Sequence, residues 1–150
     1  MQTTLGLFIF IAGFIIGLGA VTVIDILGFL GIKSNYWTET TIRVHKVTKP
    51  LIWIGIILAT FGAYIFYKSI GVGFSFPVIF HFIALTILII NGSFLSFYIS
   101  PKLLQREKEG LATKLLPWKI QIPIAFSFII SFISWWSSLF LLIWFIIFIL

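Results

Sequence analysis

The sequence has no cysteine and very few charged residues. Without cysteine, the chain has no disulfides, no thiolate metal ligands and no cysteine nucleophile. Charged residues make up 9% of its 150 residues, against about 25% in soluble domains. The composition therefore excludes an ordinary soluble domain. The net charge of +6 does not indicate nucleic-acid binding, because the basic residues lie in the connections between apolar segments.

Common catalytic motifs are also missing from the sequence. It contains no His-Glu-x-x-His, no P-loop and no Gly-x-Ser-x-Gly. The four acidic residues offer no closely placed pair inside the apolar segments. The sequence therefore favours a non-enzymatic protein and predicts no catalytic residue and no metal site built from several ligands.

Long apolar runs dominate what remains. Hydrophobic residues reach 61% and the mean hydropathy is +1.20. A helix needs about 20 apolar residues to span a bilayer, and lipid forces every backbone group to be paired internally. Four segments are long enough, 5–31, 50–67, 77–99 and 120–150. We predict an all-α membrane protein, an antiparallel bundle of four transmembrane helices that forms one domain, 1–150.

The distribution of basic residues predicts the orientation. Nine of the ten lysines and arginines lie in segments 32–49 and 100–119, and only Lys68 lies in 68–76. Basic residues in short loops favour the cytoplasmic side. The sequence therefore predicts a multi-pass protein of a bacterial inner (plasma) membrane, with both termini outside.

The basic segments and the small residues indicate two kinds of partner. Anionic lipid headgroups attract basic residues near a membrane surface, and the predicted contacts are Arg43, His45, Lys46, Lys49, Lys102 and Arg106. Small residues mark helix–helix faces in lipid. The stripes of glycine in the first two segments and of serine in the fourth predict either close packing within the chain or a homo-oligomer interface. For the serine stripe, a polar path is a further alternative.

Asp25 is the one carboxylic acid within a predicted span, and such residues mark functional sites in membranes. At ~1.5 Å per residue, Asp25 and Asn91 lie roughly 9 and 12 Å from the same end of the bundle. Thr22 is one turn from Asp25. These three predict an intramembrane polar site for a cation, a proton or a polar ligand. The alternative is an Asp25 that is protonated, or paired with Lys33 or Arg43.

His81 is the candidate ligand for a haem or a metal ion. It lies near the outer end of the third span, whereas His45 lies on the predicted cytoplasmic side. A hydrocarbon layer about 30 Å thick separates the two sides. The two histidines of one chain would therefore not share an iron, and the alternative for His81 is a structural hydrogen bond.

Three short motifs carry a resemblance to a known family. They are Gly19-Ala-Val-Thr-Val-Ile-Asp25, Lys49-Pro-Leu-Ile-Trp-Ile-Gly55, and Asn91-Gly92 with Leu95 before Ser100-Pro101. The chain resembles a family of small four-helix bacterial integral membrane proteins, broadly similar to domain-of-unknown-function, copper-resistance-D-like and HemJ-type membrane proteins. The resemblance implies a four-helix fold and a grouping of Thr22, Asp25 and Asn91. Some of these relatives bind haem through helix histidines, but the first helix here has none.

Three functions stay open at this point. The first is a transport, channel-like or accessory subunit with a polar site around Asp25 and Asn91. The second is a haem-binding or redox membrane protein that uses His81. The third is a structural scaffold that binds anionic lipid through its basic segments.

Overall fold

The computed structural model describes residues 1–73 and 75–148, and these form long helices. In chain order they are α1 (Gln2–Gly31), α2 (Asn35–Ser69), α3 (Phe76–Phe94), a π-helical turn (Leu95–Ile99), α4 (Ser100–Lys108) and α5 (Trp118–Phe148). Within the described residues, four helical stretches are long and apolar enough to cross a membrane. The prediction of an all-helical protein with four such helices is confirmed, which is compatible with a multi-pass membrane protein. The predicted end of the fourth span, 149–150, lies outside the described residues.

Helices α1 and α2 touch backbone to backbone through their glycines. A Cβ added at Gly13 would lie 2.3 Å from the backbone nitrogen of Ala59, and one at Gly55 would lie 2.4 Å from the Cα of Gly17. A Cβ at Gly62 would lie 2.3 Å from the nitrogen of Phe10. Only glycine permits these approaches, so the predicted packing role of the glycine stripes is confirmed.

The connection between α1 and α2 is shorter than the sequence indicated. Ser34 caps α2, because its hydroxyl accepts a hydrogen bond from the Trp37 amide. The Thr38 hydroxyl donates to the carbonyl of Gly31 and ties the two helices together. Helix α2 then continues through Pro50, so most of the basic segment 32–49 is helical rather than a loop. At ~1.5 Å per residue its 35 residues span ~52 Å, more than the ~30 Å of a hydrocarbon layer.

The third apolar segment does not stop at Ile99. The π-helical turn joins α3 to α4, with the Ser100 amide bonded to the Leu95 carbonyl. Helix α4 ends at Lys108, and Gly110, two residues later, lies in the left-handed region with a φ of +71°. The Leu111 amide bonds the Arg106 carbonyl across this turn, as in a Schellman motif. The end of the molecule that holds segments 32–34 and 100–117 is called the basic end below.

The serine stripe of α5 faces the interior of the chain. Four serines spaced by three and four residues are buried, Ser127, Ser131, Ser134 and Ser138. The glycine stripe of α1 is buried against α2 in the same way. Both stripes are therefore covered within one chain, so neither forms an exposed face for a homo-oligomer.

Candidate functional site

An elongated cavity lies between the helices toward the basic end. Its volume is about 190 Å³. The lining is mostly aliphatic and aromatic, and includes Val21, Gly28, Ile42, Ile56 and Phe128. An apolar cavity of about 150 Å³ accommodates benzene in an engineered protein. The cavity is therefore large enough for a small organic group.

Three buried polar atoms in the cavity lining have no hydrogen-bond partner within the described residues. They are Oδ2 of Asp25, Nε2 of His45 and Nε1 of Trp135. A buried polar group without a partner costs about 1–3 kcal/mol, so native proteins hold few of them. The three residues that carry these atoms all line one cavity, which makes it the strongest candidate for a binding site.

The packing of α1 against α2 places Asp25 and His45 at the same level. Asp25 lies eight residues after Gly17, and His45 lies ten residues before Gly55, the residue packed against Gly17. Toward the basic end, Asp25 lies six residues before Gly31, and His45 seven after Thr38, which contacts Gly31. The two side chains therefore face the cavity from neighbouring helices at one depth.

Trp135 closes the deeper end of the cavity. Its indole is fully buried and packs against Gly17, where an added Cβ would meet the ring at 2.4 Å. It also meets the ring of Phe14 edge to face, with centroids 5.7 Å apart. Gly17 and Asp25 are eight residues apart on α1, which corresponds to ~12 Å. The indole N–H is thus a donor about two turns deeper than the carboxyl group.

The structure separates the three residues of the predicted polar site. The Thr22 hydroxyl is on the exposed side of α1 and donates to the Leu18 carbonyl. The Asn91 side chain points to α5, where its amide donates to the Ser127 carbonyl at 3.0 Å and the Ser131 hydroxyl at 2.8 Å. Depth alone suggested that these groups meet, but Thr22 and Asn91 bond elsewhere. Asp25 alone of the three lines the cavity.

Neither predicted partner of Asp25 forms an ion pair with it. Arg43 pairs with Glu39 on the next turn of α2. In the part of the chain that the structure describes, the second ion pair joins Lys46 of α2 to Glu107 of α4, at 2.8 Å. The Asp25 carboxyl group is therefore left without a cation from its own chain.

His81 is a buried hydrogen-bonded group, and its environment does not fit a haem ligand. Its Nδ1 lies 2.7 Å from the Tyr67 hydroxyl and 2.9 Å from the Pro77 carbonyl oxygen. Its Nε2 lies 2.8 Å from the Ser138 carbonyl oxygen. Both ring nitrogens are thus occupied, and the ring packs edge to face on Phe10. The described residues also hold no group of three His, Cys, Asp or Glu that suits a metal ion.

Most of the predicted headgroup contacts are engaged inside the chain. Besides Arg43 and Lys46, Lys49 bonds the Ser96 carbonyl at 3.3 Å, and the Lys102 ammonium lies 3.4 Å from the centre of the Tyr98 ring. Arg106 bonds carbonyls of the 111–115 turn. His45 lines the cavity, with its Nε2 buried and without a partner in the described residues, which sequence reasoning missed. The seven-residue spacing of Thr38, His45 and Ile52, one helix face, is the signal that could have revealed it.

Comparison of the chain with family models, with curated proteins and with solved structures finds no match. The resemblance drawn from the three motifs therefore stays a prediction. Within the described residues, the chain is all-helical, with four helices that are long and apolar enough to span a membrane. It also has an apolar cavity whose lining includes three residues with an unpartnered polar atom.

Proposed function

We propose that this chain is a multi-pass protein of the bacterial inner membrane that binds a small ligand in the cavity between its helices. It acts as a transport protein or as a ligand-binding accessory subunit rather than as an enzyme. The observation that supports this most is the set of three unpartnered polar atoms, on Asp25, His45 and Trp135, in one apolar cavity. Folding leaves these groups without partners, and a ligand with its own donors and acceptors offsets that cost.

The proposed topology is an antiparallel bundle with the basic end in the cytoplasm and both termini outside. The contacts between α1 and α2 support the antiparallel part, since Gly6 meets Phe66 near one end and Gly31 meets Thr38 at the other. Four exposed lysines at the basic end support the orientation, Lys33, Lys108, Lys114 and Lys119. Together with Arg43 and Lys46, whose side chains are exposed in their ion pairs, they support the proposed contact with anionic lipid headgroups.

Single cysteines test the orientation, because the chain has none of its own. The expected result in intact spheroplasts is that Gly73→Cys reacts with a membrane-impermeant thiol reagent. Thr113→Cys should react only after permeabilisation. Both positions are exposed, so the reverse pattern would invert the proposed topology.

Accessibility of the cavity tests the binding function. Ser131 and Ser134 lie on one helix and are 8% and 7% exposed, but Ser131 lines the cavity while Ser134 is outside its lining. Serine-to-cysteine replacement changes side-chain size little. We expect Ser131→Cys to react with a small permeant thiol reagent at least tenfold faster than Ser134→Cys in nanodiscs. Equal, slow reaction of both would show that the cavity takes up no small molecule.

A haem-binding function is not proposed, since the nitrogens of His81 are both bonded within the chain. A scaffold role has weaker support than ligand binding, because it leaves the three unpartnered atoms of the cavity without a purpose.

A further inference from the structure

Among the described residues, the cavity lining carries an acidic side chain but no permanently cationic one. Asp25 is its one carboxylate, and the lining contains no lysine or arginine among the residues that the structure describes. The nearest basic residues of α2 point to other partners, with Lys46 on Glu107 and Lys49 on the Ser96 carbonyl. A carboxylate in an apolar site is costly unless a cation joins it. The described part of the chain supplies none, so the carboxyl group either takes up a proton or is neutralised by a cationic ligand.

The Asp25 carboxylate and the His45 imidazole, at the same level of the cavity, suit a ligand head group with several hydrogen-bond donors. A carboxylate accepts hydrogen bonds, and a neutral imidazole accepts one at Nε2 when its proton is on Nδ1. Asp25 Oδ2 and His45 Nε2 are both without partners in the described part of the chain. An ammonium group has three N–H donors and no acceptor. It supplies donors to both atoms and neutralises the carboxylate, but it offers no acceptor to the third unpartnered atom, the indole Nε1–H of Trp135.

The remaining lining suits a hydrocarbon body. Along α5 it runs from Gln121 to Trp135, fourteen residues or ~21 Å. Ile124, Ala125 and Phe128 in this stretch are apolar, and the hydroxyls of Ser127 and Ser131 are already bonded to Asn91. The part between the levels of Asp25 and Trp135 is ~12 Å long. A hydrated metal ion would leave this apolar length unused, whereas an alkyl or ring system fills it.

We propose that the ligand is a lipophilic amine, with its ammonium group between Asp25 and His45 and its hydrocarbon body extending toward Trp135. This inference rests on the proposed ligand-binding function and specifies its ligand class.

Three ligands with one chain and different heads test the inference: octylamine, octanol and octanoate. Binding is measured by calorimetry on the full chain in nanodiscs of zwitterionic phosphatidylcholine, so that lipid charge does not attract the amine. We expect octylamine to bind at least tenfold more tightly than the other two. Asp25→Asn should weaken octylamine at least tenfold and leave octanol within twofold. Equal binding of the three heads, tighter octanoate, or an unaffected Asp25→Asn variant would overturn the proposal.

Glycines on α1 supply a matched pair for locating the site. A Cβ at Gly28, which lines the cavity, meets no atom within 4 Å, and the same holds at exposed Gly19 on the outer face. Gly28→Leu should fill the cavity and weaken octylamine at least tenfold, while Gly19→Leu leaves binding unchanged. Equal effects of the two would place the amine outside the cavity and refute the inference.

Different experimental results would contradict the amine inference and the proposed ligand-binding function. If Ser131→Cys reacts rapidly but octylamine shows no preference, the ligand class is wrong and the binding function stands. If Ser131→Cys is as slow as Ser134→Cys and none of the three ligands binds, both proposals are wrong. Wild-type thermal stability of each variant in the same nanodiscs confirms that lost binding is not lost folding.

Discussion

Replacement of Gly13 by alanine tests the contact on which the fold depends most. The new Cβ would lie 2.3 Å from the Ala59 nitrogen and 2.8 Å from the Gly55 oxygen, both of them backbone atoms that no rotamer change can move. Ordinary contact begins near 3.4 Å, so α1 and α2 would have to separate by about 1.1 Å.

Separating α1 from α2 weakens their packing along the whole length of the contact. A gap of 0.5–1 Å forfeits about a quarter to a half of the dispersion energy between packed atoms. Dispersion is a main source of helix association in lipid, where no hydrophobic effect draws helices together. Overpacking typically costs about 1–3 kcal/mol, and the rigid backbone contact at Gly13 places this variant at the upper end, about 3 kcal/mol.

The assay is reversible unfolding in mixed micelles with increasing sodium dodecyl sulfate, followed by far-ultraviolet circular dichroism. Gly19→Ala is the control, because it lies on the same helix with no atom within 4 Å of an added Cβ. Its free energy of unfolding should be unchanged or raised by up to about 1 kcal/mol, from the better helix propensity of alanine. Equal stability of Gly13→Ala and Gly19→Ala would refute the close packing of α1 on α2.

Three further substitutions have expected outcomes in the same unfolding assay. Asn91→Leu should lower the free energy of unfolding by about 1–2 kcal/mol, because it removes the hydrogen bonds between α3 and α5. Tyr67→Phe should lower it by about 1 kcal/mol, because it removes the hydrogen bond to His81 Nδ1. Asp25→Leu should raise it by about 1 kcal/mol or more while abolishing ligand binding, because it removes an unpartnered carboxyl group from an apolar cavity.

Each of the three substitutions has a control variant or a result that would contradict the expectation. Thr86→Val is the control for Asn91, because the Thr86 hydroxyl bonds only within its own helix. Tyr64→Phe is the control for Tyr67, because Tyr64 is 53% exposed. Both controls should leave stability within about 0.5 kcal/mol. A loss of stability in Asp25→Leu would mean that the carboxyl group has a partner within the protein and that the cavity is not a ligand site.

The sequence predicts the helices and the glycine contacts well because both depend on local properties. Apolar length alone identifies the four spans, and a glycine at every fourth position, such as Gly13 and Gly17, marks a helix face whatever its partner is. The predicted span begins at Pro50, where the apolar run begins, whereas the helix itself starts at Asn35, because charges at 43–49 look the same on a helix beyond the bilayer as in a loop. The Ser34 cap distinguishes the two cases.

The candidate site was predicted only in part. Position along a helix gives the depth of Asp25 and Asn91, but the helix face that each presents depends on how four helices are arranged around one axis. Asn91 lies near the predicted level yet faces the serines of α5. His45 and Trp135 were missed because their roles depend on the cavity, which is a property of the packed helices rather than of any one segment.

A density map of the protein purified together with its native lipids tests the central claim most directly. The account predicts non-protein density in the cavity, within hydrogen-bonding distance of Asp25 Oδ2 and His45 Nε2, with an extension along the apolar lining toward Trp135. The contrary result is a closed cavity in which Asp25 and His45 hydrogen-bond to each other or to other groups of the chain.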